Sequence, residues 1–352
     1  MDPPESTLEA SANNYSGTNF NHLYKTRGYK EESQANRRRK LLEHQKRNRS
    51  NAHDSSRLSL LAQCEEEESP KSKPKNKHAL NNYNTVKLYS NQLMFSEWME
   101  ELPENFEDDW FMVPCPMGIR VLLVASRGRT KAFTKRGRCI FDFQSALPGG
   151  SRSKQSDIHG YTILDCIFSE LTETFYILDL LAWGKQPFVN CETEFRFFWL
   201  QGQLSERVEL SEKNDKSNLY PFSLLSHHEC SIETISNVLN NWPFFNNNTP
   251  KVDGLLFYHK NTSYTAGYTP TVLWLFSFMV PEIISRNIMI DDNYMQEKPA
   301  DYENQKLFIE KFNEDQKKKK KGKSYLKSLV METEGTVEET EDSPLLSDME
   351  IT

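Results

Sequence analysis

The chain has 352 residues, of which 37% are apolar and 26% charged, with a net charge of −7. An apolar share below the roughly 45–50% of ordinary globular chains leaves too little hydrophobic material for two full domains. Six cysteines (Cys64, Cys115, Cys139, Cys166, Cys191, Cys230) show no CxxC or Cys/His spacing, so neither a zinc site nor a disulfide framework is expected, and a reducing compartment fits. The longest apolar run, Val272–Val280, is too short for a bilayer, and MDPPESTLEA has no signal-peptide pattern. A soluble intracellular chain is expected, with no membrane partner and no metal or cofactor.

Residues 1–20 are small and polar, which predicts disorder. Residues 21–61 form a basic arm. Between Arg37 and Arg49 it carries seven basic residues against one acid, Glu43. Glu32–Gln45 lacks Gly and Pro and predicts a helix with Ser33 as N-cap. Only Leu41 and Leu42 are strongly apolar in it, too few for a stripe that docks on a core. Residues 62–84 open with four glutamates and continue in Lys, Pro and Ser, a flexible linker.

Residues 85–295 hold the aromatic and β-branched side chains and predict one α+β core dominated by antiparallel sheet. In order, Gln92–Met99 reads as a short helix, Trp110–Pro114, Val121–Ser126 and Lys131–Lys135 as strands, and Tyr161–Phe168 with Thr174–Leu181 as a hairpin. Glu194–Leu200 reads as a strand in which Phe195, Phe197 and Trp199 alternate as packing residues. Ser231–Leu239 reads as a helix, and Val252–His259 and Thr271–Phe278 complete the sheet. Residues 296–352 form a mostly disordered tail in which Tyr302–Phe312 has helical character. Lys317–Lys321 reads as a solvated run, and eight acids without Lys or Arg follow Met331.

Taken as residues alone, the basic helix could bind nucleic acid by counterion release, serve as a transport signal, or be a solvated face. It lacks the interleaved aromatics that stack on bases. YKTRGYKEESQANRRRKLLEHQKRNR (Tyr24–Arg49) resembles the importin-β-binding segment of the snurportins. The resemblance continues through SNQLMFSEWMEELP, CPMGIRVLLVASRGRTKAFTKRG, LPGG, YTILDCIF, TEFRFFWL and VDGLLFYHK, and covers roughly residues 21–290 in order.

The core also resembles the nucleotide-binding domain of mRNA capping enzymes and polynucleotide ligases. VDGLLFYHK is similar to their (D/E)G strand, and ILDCIF and TVLWLF fall where two further motif strands lie. The chemistry of those enzymes needs a lysine nucleophile in KxDG and carboxylates for a divalent ion. The one KxDG match, Lys251-Val252-Asp253-Gly254, falls in the (D/E)G strand itself and not ahead of the other motif strands, Asp165-Cys166 stands in place of DGE, and Trp274 stands where a lysine is expected. No enzymatic activity is therefore expected, and a divergent nucleotidyltransferase or a general RNA-binding protein are the alternatives.

The resemblance implies a nuclear import adaptor that shuttles between cytoplasm and nucleus. It would bind the trimethylguanosine cap of spliceosomal small nuclear RNA and link the particle to importin β. Exportin is a further implied partner, through an N-terminal segment where Leu8 matches an apolar anchor. The implied cap-binding residues are Trp274 as the stacking platform, Phe95 on the other side of the base, Ser96 and Trp98 beside it, and Arg120 and Lys135 near the phosphates. Ile119 stands where the family has another basic residue. The implied importin-β-binding residues are Arg27, Arg37, Arg38, Arg39, Lys40, Leu41, Leu42, Lys46 and Arg47.

Overall fold

The structure, a computed structural model, describes residues 25–26, 32–48, 86–152, 160–214, 216–245, 249–314 and 318. The expectations for residues 1–20, for Arg27, for the linker 62–84, for the lysine run apart from residue 318, and for the acidic tail lie outside these, as does the side chain of Arg47.

Thirteen strands among the described residues form two sheets. The first runs in the order β1 (Lys25–Thr26), β2 (Met94–Trp98), β13 (Gly267–Leu275), β12 (Val252–His259), β3 (Trp110–Pro116) and β11 (His228–Glu229). The second runs β10 (Phe222–Leu224), β8 (Thr174–Trp183), β7 (Tyr161–Ser169), β4 (Ile119–Ser126), β5 (Arg129–Phe133) and β6 (Cys139–Phe143), with β9 (Gln186–Pro187) paired to β8. Pairing is antiparallel except for β1–β2, β2–β13 and β10–β8. The longest helices of the core and its basic arm are α1 (Gln34–Asn48), α2 (Thr193–Glu206) and α3 (Ile232–Leu239). This is the expected mixed α+β architecture with antiparallel sheets. No described helix is long and apolar enough to cross a membrane.

Strand expectations from period-2 and apolar runs hold for β3, β4, β5, the β7–β8 hairpin, β12 and β13. Ser231 caps α3 as a serine should, its hydroxyl accepting from the Thr234 N–H at 3.2 Å. Two elements differ. Met94–Trp98, expected as a helix, is a strand buried on both faces. It lies between β1 and β13, and a continuous apolar run suits a strand covered on both sides better than an amphipathic helix. Thr193–Glu206, expected in part as a strand, is a helix. Its buried positions Thr193, Arg196, Phe197 and Leu200 follow the i, i+3, i+4, i+7 rule, while Phe198 is 71% exposed and Phe195 half exposed, which strand alternation does not allow.

A buried fork pins α2. Arg196 donates from Nε and Nη2 to the two oxygens of Asp179 on β8, at 2.7 and 2.8 Å, with both side chains fully buried. Its Nη1 reaches the carbonyls of Cys191 and Thr262, tying α2 to the loop between β12 and β13. Burial lowers the pKa of this guanidinium, but Asp179 more than reverses the effect.

Past residue 295 the chain forms a helix over 305–314. The Gln305 side chain donates to the Met99 carbonyl at 2.8 Å, and Phe308 packs on Trp98 and Phe276. Residues up to Phe308 belong to one compact unit, and a second begins at Ile309.

Asp179→Ala leaves the Arg196 charge buried and unpaired. It should cost about 3–5 kcal/mol in urea unfolding, whereas the double change Arg196→Met/Asp179→Leu should cost clearly less.

Candidate functional site

Of the residues expected at the cap, Phe95, Ser96 and Trp98 lie on β2 and Trp274 on β13, while Arg120 lies on β4 and Lys135 just past β5. Trp98 and Trp274 are register partners across the β2–β13 pair, and both are fully buried. With Phe276 and Phe308 they make an aromatic cluster, Trp98 at 5.8 and 6.1 Å from these two rings and Trp274 at 6.3 Å from Phe276. Glycine is required at position 254, because a Cβ there would collide with the Trp274 ring. The VDG sequence of β12 therefore makes the seat for this indole.

Phe95, Arg120 and Lys135 form a second group. The Lys135 ammonium lies 4.2 Å from the centroid of Phe95 and 4.6 Å from that of Tyr268, and donates to the Tyr268 hydroxyl at 3.0 Å. Phe95 and Tyr268 are register partners with rings 5.3 Å apart. Phe95 is buried, Lys135 half-buried and Tyr268 40% exposed. Tyr268 was not singled out in the sequence. Its only signal is an aromatic residue beside Gly267, and nothing local says which strand it will face.

Arg120 is buried and forks onto Asp165 of β7, from Nε and Nη2 at 2.9 Å each. Its Nη2 also donates to the Met94 carbonyl at 2.7 Å. Tyr264 donates its hydroxyl to Asp165 at 2.6 Å and accepts the Met94 N–H at 3.0 Å. Burial works against the Arg120 charge, yet Asp165 outweighs it and raises the pKa. Arg120 thus hangs β2 from the second sheet. Ser96, fully buried, faces Thr269 in the β13 register and Lys25 in the β1 register.

Between Thr269 and Leu273 the β13 register jumps while β2 advances by a single residue, Ser96 to Glu97. The Pro270 carbonyl falls in this irregularity, and α1 meets it there. Arg38, 8% exposed, donates from Nε to that carbonyl at 3.0 Å and lies 4.9 Å from the Trp110 ring centroid. Burial pulls its pKa down to about 10. Arg37 forks onto Glu97 at 2.6 and 2.8 Å, and its hydrogen bonds to that carboxylate raise its pKa. On the other face Arg39, Lys40 and Lys46 are exposed, and Leu41 and Leu42 are half-buried. A groove of about 540 Å³ runs beside the helix, with Glu104, Asp109 and Glu192 among its lining.

The expectation that α1 has too little apolar surface to dock is corrected here: ionic forks and backbone bonds, not a hydrophobic stripe, hold it.

Both oxygens of Asp165 are occupied, and burial pushes Asp253 up to about 8. Among the described residues no group of three or more His, Cys, Asp or Glu side chains is placed to hold a metal ion.

Two family models match the chain. One is Snurportin1, m3G cap-binding domain, over residues 92–277; the other is Snurportin1, over residues 22–58. Among solved structures, the ligase domain of LigD from M. tuberculosis is similar at 10% identity and a TM-score of 0.35, over 52% of this chain and 58% of that chain. The Chlorella virus DNA ligase-adenylate is similar at 11% identity and a TM-score of 0.34, over 52% of this chain and 68% of that one. A third, Pmar-Lig_PreS3, shows 13% identity and a TM-score of 0.40, over 52% and 46%. The chain thus spans somewhat over half the length of the LigD domain, and at this similarity no ligase activity or ligand passes to it.

The carboxyl of Asp253 ionises near 3.8 when unfolded and near 8 when folded, so its burial cost grows as pH rises from about 4 to 8. Asp253→Asn should match the wild-type melting temperature near pH 4 and exceed it by several degrees at pH 8, as read by calorimetry.

Proposed function

This chain belongs to the Snurportin1 family, and on that premise we propose which of its surfaces do the work: the β2–β13 strand pair receives the cap, and α1 is the segment importin β takes. The protein is a nuclear import adaptor that binds the m3G cap. Shuttling between cytoplasm and nucleus, with exportin returning the empty adaptor, completes the proposed cycle.

The observation that carries the cap assignment is the pair of aromatic faces, Phe95 and Tyr268, already occupied by a cation, the Lys135 ammonium. A trimethylated guanine is itself a cation through its N7 methyl group. The π faces that attract an ammonium attract it too. Its doubly methylated N2 has no N–H to donate, so apolar rings suit it better than a carboxylate. Trp274, seated on Gly254 with Trp98 as its register partner, would supply the second platform, and Ser96 lies next to Phe95 on β2. Lys135, once displaced from the rings, is the free cation for the triphosphate. Arg120 is bound to Asp165, so its part is to position β2 and to add positive field behind the phosphates.

On α1, the exposed cations Arg39, Lys40 and Lys46 and the flanking Leu41 and Leu42 present a surface suited to an acidic receptor. Arg27 and Arg47 extend the same basic run, and Arg37 and Arg38 join it when the helix leaves the core.

The reading is of a binding protein and not a nucleotidyltransferase. The Asp165 carboxylate is spent on Arg120 and Tyr264, and Asp253 is protonated at neutral pH, so neither is poised to hold a divalent ion.

Stacking on an aromatic platform contributes about 1–3 kcal/mol per base. Trp274→Ala should therefore weaken binding of a trimethylguanosine cap analogue by about tenfold or more in a fluorescence titration, with importin β affinity unchanged. Wild-type cap affinity in this variant would remove Trp274 from the site. Incubation with labelled GTP or ATP and Mg²⁺ should leave no nucleotide covalently attached; an adduct would make the protein an enzyme.

A further inference from the structure

The basic helix is not a free arm in this structure. Arg37 and Arg38, the first two cations of its RRRK run, are turned inward. Arg37 forks onto Glu97, a carboxylate that is itself almost wholly buried, and Gln34 donates to the same carboxylate and to the Trp98 carbonyl, at 3.1 and 2.8 Å. Three turns later Gln45 closes the other end. Its oxygen accepts from the Thr262 hydroxyl and the Ser263 N–H, and its amide donates to Thr265. In between, Arg38 takes the Pro270 carbonyl at the β13 irregularity. β1 adds to the edge of β2 in parallel, Lys25 opposite Ser96 and Thr26 opposite Glu97.

We propose that the cap-binding core is itself the resting receptor for α1. The surface made by Glu97, Trp110, the Pro270 carbonyl and the Thr262–Thr265 loop holds the helix in the unloaded protein, so importin β competes with it and cap entry helps release it. The competition half rests on the assignment of α1 to importin β. The docking half does not.

The reason for competition is steric and electrostatic. Arg37 is turned inward onto the almost wholly buried Glu97, away from the carboxylates of a second protein, and a helix lying on one protein cannot be wrapped by another. The reason for coupling to the cap lies in β2. Glu97 and the Trp98 carbonyl, which α1 grips, belong to the strand that carries Phe95, Ser96 and Trp98, and these are buried while the helix is docked. A base that stacks on Trp274 and Phe95 must uncover them. Whatever opens β2 loosens the seat of α1, and whatever removes α1 frees β2. By linkage the two effects are equal in binding free energy. An empty adaptor then holds back its import signal, and a loaded one displays it.

The test uses the full chain titrated with importin β. Glu97→Gln keeps the shape of the side chain but removes the charge that Arg37 faces, and should raise importin β affinity by about tenfold, the worth of a charge-assisted bond. Gln45→Ala, at the far end of the helix, should raise it by about threefold. A saturating trimethylguanosine cap analogue should raise wild-type affinity and leave Glu97→Gln unchanged. Amide exchange across residues 34–46 should be slow in the wild type and faster in both variants. Equal importin β affinity for the wild type and both variants, or equal exchange rates across 34–46, overturns the proposal. If none of them binds importin β while the exchange difference persists, importin β is the wrong partner and the docking stands.

Discussion

A guanidinium taken wholly out of water survives only if a carboxylate comes with it, and the Arg120–Asp165 fork is the pair on which this architecture turns. It joins β4 to β7 within one sheet and, through the Met94 carbonyl, reaches the other. Tyr264 closes the loop by donating to Asp165 and accepting from the Met94 amide. β2 is an almost wholly buried strand paired in parallel on both sides. Much of what fixes its position is this polar bracket at its first residue.

The opposite flank of β2 is held by a second fork of the same chemistry but different exposure. Arg37–Glu97 has one partner partly open to solvent, so it can be exchanged for another acidic surface, whereas Arg120–Asp165 cannot. One strand is therefore anchored permanently from inside and reversibly from outside. On the proposed coupling, that asymmetry would let β2 move without loosening the fold. The internal fork sets where the strand returns, and the external one sets whether it is covered. With Phe95 and Ser96, which we propose contact the cap, between the two forks, a single strand would carry both the proposed ligand site and the seat of α1.

Much of this was legible in the sequence. VDGLLFYH reads as a strand and is one, because a short apolar run, Leu255–Tyr258, bounded by polar residues has few alternatives. Ser231 announces its helix by capping chemistry. The misses have definite causes. QLMFSEWM has good helix formers, but a strand with neighbours on both sides buries every residue, and tertiary pairing overrode propensity. TEFRFFWL alternates over a few residues and so resembles a strand; the helical stripe shows only when Thr193 and Leu200 are counted together. Arg120 carried a family role at the phosphates, while its partner Asp165 lies 45 residues away and no local pattern links them. Nothing local marks Glu97, whose meaning depends on a helix 60 residues earlier in the chain. The chemistry of single segments was readable; the long-range charge pairing was not.

The most direct test of the account is a crystal structure of the full chain with a trimethylguanosine cap analogue. The account predicts the methylated base stacked between the rings of Trp274 and Phe95, Lys135 moved from those faces to the phosphates, and Arg37 released from Glu97. A base bound elsewhere, with Trp274 still fully buried and α1 still seated on Glu97, would contradict it.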